Sequence, residues 1–200
     1  NYTDGTLNYD YIIWVRTFFN PNTSAVASAG YCNLDSTNRP ILGIMNINLN
    51  YFRVVGEDDF DYVGNVLTHE LFHALGFSGG MLNYFPNTMY QNTTIYTKTG
   101  KYQTKTITGP TLVNWAKKHF NCQTLTGVSF ENEGGGGTAN SHWEKTVMGN
   151  DMMTGVVNGR MVLTEAILAF FQDSGVYSTT PLNAESTYWG RNQGCAFLNN

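Results

Sequence analysis

The stretch Thr68-His69-Glu70-Leu71-Phe72-His73-Ala74-Leu75-Gly76-Phe77 decides how the chain is read. It has the form H-E-x-x-H-x-x-G. On a helix, residues four apart share a face, so His69 and His73 can aim their imidazoles at one metal ion. Glu70 lies one residue round the helix, too far to be a third ligand but close enough to address a metal-bound water. That spacing is the one by which a helix holds catalytic zinc and a general base for peptide hydrolysis.

The flanks supply the helix. Glu57-Asp58-Asp59 places acids where a helix N-terminus favours negative charge. Phe60, Val63, Val66, Leu67, Leu71 and Ala74 then recur at helical spacing. Gly76 suits a left-handed cap that turns the chain away just past the second histidine.

Upstream, residues 11–19 are rich in β-branched and aromatic side chains and read as a buried strand. Residues 41–48 read as a second strand, opened by Arg39-Pro40 and flanked by polar residues, which suits a sheet edge. A peptide can pair its backbone with such an edge, so Ile41, Leu42, Gly43 and Ile44 are candidate substrate-binding residues. A strand simply covered by a loop would read the same way. Downstream, residues 78–110 are polar and loop-like. Residues 111–120 read as a short helix with Leu112, Trp115, Ala116 and Phe120 inward, and residues 162–172 as a second helix stopped near Gly175.

Catalytic zinc takes three protein ligands and a water. Residues 71–130 contain no Asp or Glu, which removes a glutamate from the next helix. A histidine three residues beyond Gly76 would complete a compact H-E-x-x-H-x-x-G-x-x-H site, but that position is Gly79. His119 and His142 remain. His119 sits beside Lys117 and Lys118 and reads as a solvated helix terminus. His142 follows the run Gly134–Gly137, which can swing the chain back, and Met153 stands eleven residues further on, which resembles the place of the methionine that packs beneath the metal in metzincins. The reading therefore takes His142 as the third ligand.

Composition is compatible with a secreted or surface protein. Two hundred residues suit one domain or two lobes sharing a cleft. Charged residues make up only 13% and the net charge is −4, without a basic cluster, which argues against nucleic acid as a partner. Asn1-Tyr2-Thr3, Asn22-Thr23-Ser24 and Asn92-Thr93-Thr94 are N-glycosylation triplets. The polar opening Asn-Tyr-Thr-Asp-Gly is unlike a secretory leader, and the chain reads as a piece of a longer precursor. No apolar run approaches the roughly 20 residues that span a bilayer, so any membrane association would come from regions outside this segment. Cys32, Cys122 and Cys195 leave one cysteine over, either a free thiol or one with a partner elsewhere.

Taken together, these residues resemble the leishmanolysin family of surface metallopeptidases, metzincins whose third histidine is displaced by an inserted segment. The resemblance runs through residues 69–78, then Gly-Gly-x-Gly-x-x-x-Ser-His over 134–142, Met153, residues 167–175, and Trp189-Gly190-x-Asn-x-Gly-Cys-Ala-Phe-Leu. It implies zinc bound by His69, His73 and His142, Glu70 as catalytic acid/base, and Met153 in the Met-turn. It also implies a Cys122–Cys195 disulfide, an upstream partner for Cys32, and protein or peptide substrates met outside the cell or at its surface. Where the family has a proline soon after that methionine, this chain has Thr154-Gly155. The expected fold is α+β and metzincin-like. Residues 1–79 would form a lobe with a small mixed sheet and the active-site helix, and residues 80–200 a mainly helical and irregular lobe across the cleft. The competing reading is an inert adhesion or binding module that kept the fold; a broken ligand or glutamate would signal it, and neither is broken. A structural zinc site would be closed by a fourth Cys or His, and the cysteines are better used in disulfides.

Overall fold

The computed structural model describes residues 9–52, 56–97, 100–156 and 160–199. The fold is mixed α+β, in two compact units, Asn1–Gly76 and Phe77–Asn200.

The first unit holds β1 (Ile12–Phe18), β2 (Ala27–Leu34), β3 (Pro40–Asn48) and α1 (Glu57–Ala74). The strands form one sheet in the order β1-β3-β2. β3 runs parallel to β1, with Ile12 opposite Leu42, and antiparallel to β2, with Ala27 opposite Ile47. This corrects two expectations from the sequence. The strand read as an edge, carrying Ile41, Leu42, Gly43 and Ile44, is the central one. Pro40 is tolerated there because it stands first in the strand, where its missing N–H costs the ladder least. The strand read as buried is instead an edge, and Ile12, Trp14 and Val15 are exposed.

α1 packs on this sheet at Gly43. A Cβ there would lie 2.0 Å from the Tyr11 hydroxyl and 3.1 Å from Ala74 Cβ, so only glycine lets the end of the helix approach the strand. Tyr11 Oη donates to Ala74 O at 2.8 Å. At the other end, the Asp59 carboxylate accepts the Gly56 N–H, satisfying a donor at the helix start. The side chains of Glu57 and Asp58, read as part of the same acidic start, lie outside the described residues. The buried face differs from the expected apolar stripe. Val66 and Ala74 are buried, but Phe60 and Leu71 are exposed, and the rest of the buried face is His69, Glu70 and His73. Gly76 follows with φ 110°, a conformation that favours glycine.

The second unit contains a β-hairpin, β4 (Tyr90–Thr97) and β5 (Gly100–Ile107), in the segment expected to be loop. β5 also pairs with the short β6 (Val128–Ser129), giving the order β4-β5-β6. The helices are α2 (Pro110–Phe120), α3 (Lys145–Met148) and α4 (Glu165–Ser174). α2 begins with proline at its first position. The N–H groups of Thr111 and Leu112 donate to the two carboxylate oxygens of Asp173 on α4, so one helix caps the other. Phe77, Phe130, Trp143 and Phe170 are fully buried and form the aromatic core, with Phe77 and Phe170 centroids 4.6 Å apart. Cys122 and Cys195 form a disulfide that ties the tail to the end of α2, and Cys32 is an exposed free thiol.

Candidate metal centre

His69 and His73 are held by helical geometry alone. Their Nε2 atoms are 3.0 Å apart and both residues are buried. Glu70, between them in sequence, is 6% exposed. Its Oε2 is buried with no hydrogen-bond partner among the described residues. Burial pushes the Glu70 carboxyl up to about 7, the Ala29 N–H pulling weakly the other way. Two converging imidazole nitrogens beside an orphaned carboxylate oxygen are a donor set that fits a divalent cation and the water it would carry.

The Ala29 N–H of β2 lies close enough to the Glu70 carboxyl to lower its pKa, so this strand, an edge of its sheet, passes beside the glutamate. Both sides of β3 are paired, so Ile41, Leu42, Gly43 and Ile44 have no backbone edge to offer a peptide. β2 is not legible from its residues, because Ala-Ser-Ala-Gly-Tyr-Cys-Asn-Leu lacks the β-branched side chains that mark a strand.

In the second unit His142 is held quite differently. Its Nδ1 lies 3.0 Å from Thr138 O and 3.1 Å from Ser141 Oγ. A carbonyl oxygen only accepts, so Nδ1 carries the proton and Nε2 keeps the lone pair a metal requires. Burial lowers the His142 pKa, with the Thr138 carbonyl and the Glu131 charge opposing, which favours the neutral, ligating ring. The glycine run makes the approach: Gly134 and Gly135 have φ 80° and 70°, and Gly135–Gly137 form a 3-10 turn. Glu131 N then donates to His142 O, and Asn140 N to Glu131 O.

Gly79, at the position where a compact site would carry its histidine, serves this loop. Its N–H donates to Asn140 O at 2.7 Å, and a Cβ on it would lie 2.4 Å from that same oxygen. Met153 is fully buried, and its carbonyl accepts the N–H of Trp143, the neighbour of His142. The turn around Met153 is fixed by Asp151, also fully buried, whose carboxylate accepts from Met153 N at 2.7 Å and from the Thr164 hydroxyl. Gly155 lies against the same histidine; a Cβ there would meet Thr138 Cγ2 at 2.4 Å and the His142 ring at 3.5 Å.

Sequence reading missed Thr138 and Asp151. Thr138 acts through its carbonyl, which every residue possesses. Asp151 had a legible signal, an Asp two residues before the singled-out methionine, the spacing at which aspartate closes a turn on its own backbone. His119 is not a free donor: its ring stacks on Trp115 and its Nε2 sits 2.8 Å from Trp189 O.

Comparison with known proteins agrees with this chemistry. A family model described as leishmanolysin matches residues 1–200. A leishmanolysin homolog of Crithidia fasciculata is 32% identical over 199 residues, covering 99% of this chain and 29% of that protein. A leishmanolysin-like peptidase of Caenorhabditis elegans is 29% identical, covering 97% of this chain and 35% of its own length. The leishmanolysin of Leishmania major is 31% identical, covering 99% and 32%. The chain thus spans about a third of the length of these relatives.

Proposed function

Because the chain belongs to the leishmanolysin family, we propose that it is the catalytic segment of a zinc-dependent endopeptidase acting on proteins or peptides. His69, His73 and His142 would hold the metal, each through Nε2, and Met153 would form the turn beneath it. Glu70 is the acid/base. The observation that carries this reading is α1 itself, with two imidazole nitrogens 3.0 Å apart and a buried, unpartnered Glu70 Oε2 beside them.

Zinc, when bound, supplies Lewis acidity toward the scissile carbonyl and toward water. The chain's own groups do the rest. Glu70 Oε2 takes a proton from the attacking water and delivers it to the leaving amine nitrogen. Oε2, buried and without a hydrogen-bond partner among the described residues, is available for that proton. The free edge of β2 offers backbone pairing to an extended peptide, which would hold substrate without reading its side chains.

An extracellular or cell-surface setting suits the Cys122–Cys195 disulfide. No helix among the described residues is long and apolar enough to cross a membrane.

The test pairs zinc content with cleavage of an unstructured protein such as casein, on wild type and Glu70→Gln. The expected variant keeps its zinc and loses about 10²–10⁴-fold in turnover, the usual worth of a general acid/base. A variant that cleaves like wild type removes Glu70 from the mechanism. Wild type that holds zinc but cleaves nothing favours the inert binding module.

A further inference from the structure

Each sheet leaves two strand edges unpaired among the described residues, and an exposed edge invites pairing with another chain unless something blunts it. Three of the four are blunted. β1 carries the charged Arg16. β2 is interrupted by register shifts between Tyr31 and Leu34, and its regular stretch before them is the edge proposed above to pair with substrate. β6 is two residues long. β4 has none of these devices: Tyr-Gln-Asn-Thr-Thr-Ile-Tyr-Thr contains no charge and no proline, and pairs with β5 in unbroken register from Tyr90 to Thr97. Such a segment is a template for aggregation.

What β4 does carry is Asn92-Thr93-Thr94, an N-glycosylation triplet. Asn92 is exposed. Residues two apart on a strand share a face, so Tyr90, Asn92 and Thr94 lie together. A surface cavity of about 350 Å³ opens beside them, lined by Asn83, Phe85, Tyr90, Gln91 and Asn92 among others. Consecutive strand residues point to opposite faces, so a cavity lined by three in a row lies along the strand's outer edge. Tyr90, whose hydroxyl donates to Asn83 Oδ1, and the amides of Asn83, Gln91 and Asn92 suit an N-acetylhexosamine, whose C–H face packs on an aromatic ring while its hydroxyl and acetamido groups bond to amides.

We propose that Asn92 carries an N-linked glycan whose first sugar occupies this cavity and covers the β4 edge. The Asn22 triplet differs: it lies in the turn after β1 and not within a strand. The Asn1 triplet lies outside the described residues.

The full-length protein, secreted from a eukaryotic host, would be digested and its asparagines assayed by mass spectrometry before and after enzymatic release of N-glycans. Asn92 is expected to be occupied, and Asn92→Gln and Thr94→Ala should each remove the same gel-mobility step. Releasing the glycan from the folded protein should lower Tm by a few degrees and speed aggregation. In Tyr90→Ala, occupancy should persist while release changes Tm little, because the stacking surface is gone. An unmodified Asn92 in secreted, disulfide-bonded material overturns the proposal. An occupied Asn92 whose release changes neither Tm nor aggregation overturns the covering role. None of these readouts uses peptidase activity or zinc, so the result is independent of the proposed catalysis.

Discussion

The proposed ligands are held in two contrasting ways. His69 and His73 need only one turn of α1 between them, and their Nε2 atoms meet because the helix has 3.6 residues per turn. His142 depends on backbone groups spread over residues 131–153: the Thr138 carbonyl on its Nδ1, the Glu131 N–H on its own carbonyl, and the Met153 carbonyl on its neighbour Trp143. The first arrangement can be damaged only by breaking the helix or the side chains. The second can be damaged from many places that carry no metal donor. The largest effect expected is common to both. His73→Ala and His142→Ala should each weaken zinc binding by more than about 100-fold, beyond the range for an outer-shell partner, and abolish cleavage. Zinc bound by His142→Ala as by wild type would mean that α1 alone suffices, and the contrast would have no bearing on the metal.

The same contrast governs what could be read from the sequence. α1 was legible because two local periodicities, the apolar spacing and H-E-x-x-H, coincide over eighteen residues. Even there the apolar stripe and the buried face differ at Phe60 and Leu71, because the face turned inward is given over to His69, Glu70 and His73. His142 was legible through its glycine run and Met153, although the groups that orient it were not. The β4–β5 hairpin reads as loop because threonine counts as polar, yet threonine is β-branched and suits a strand with one wet face. The exchange of roles between β1 and β3 has a different origin. Strand order is a non-local property, and neither the apolar run of β1 nor Pro40 at the start of β3 specifies which strand acquires two neighbours.

A sharper probe of the distributed half is Asp151. Asp151→Ala strips the acceptor from the buried Met153 N–H and should cost about 1–3 kcal/mol of stability in denaturant unfolding. The carboxyl also imprints a pH dependence. Burial pushes its pKa from 3.8 to about 7, with the Thr164 hydroxyl, the Met153 N–H and the Lys145 charge pulling down. A carboxyl raised in the folded state favours the protonated form there, so its contribution is full below about pH 4 and is lost as pH rises through about 7. With zinc chelated, wild type should therefore lose stability relative to Asp151→Asn across that window. The amide keeps an acceptor for Met153 N–H and a donor for Thr164 without titrating. Parallel stability curves for the two proteins would show that Asp151 does not titrate in this range.

The smallest effect tests the contrast most selectively, because it touches no donor at all. Gly155 does not require a positive φ, so its backbone accepts an L side chain. The close obstacle to a Cβ is Thr138 Cγ2 at 2.4 Å, while the His142 ring at 3.5 Å is in ordinary contact distance. Threonine is β-branched and its χ1 is stiff, so the methyl cannot simply swing aside, and the strain passes into the Thr138 backbone. That backbone bears the carbonyl that orients His142 Nδ1. Gly155→Ala should thus weaken zinc affinity by roughly 10-fold, the low end of the outer-shell range, with α1 undisturbed. Thr138→Ser removes the methyl and keeps the hydroxyl and the carbonyl, so alone it should change affinity little, and combined with Gly155→Ala it should restore most of the loss. Zinc competition titrations on the four proteins give the answer as a double-mutant cycle. Additive losses would mean that the contact transmits nothing to His142. Recovery in the double variant would show the third ligand's orientation being set by a methyl group and a missing Cβ, neither of which touches the metal.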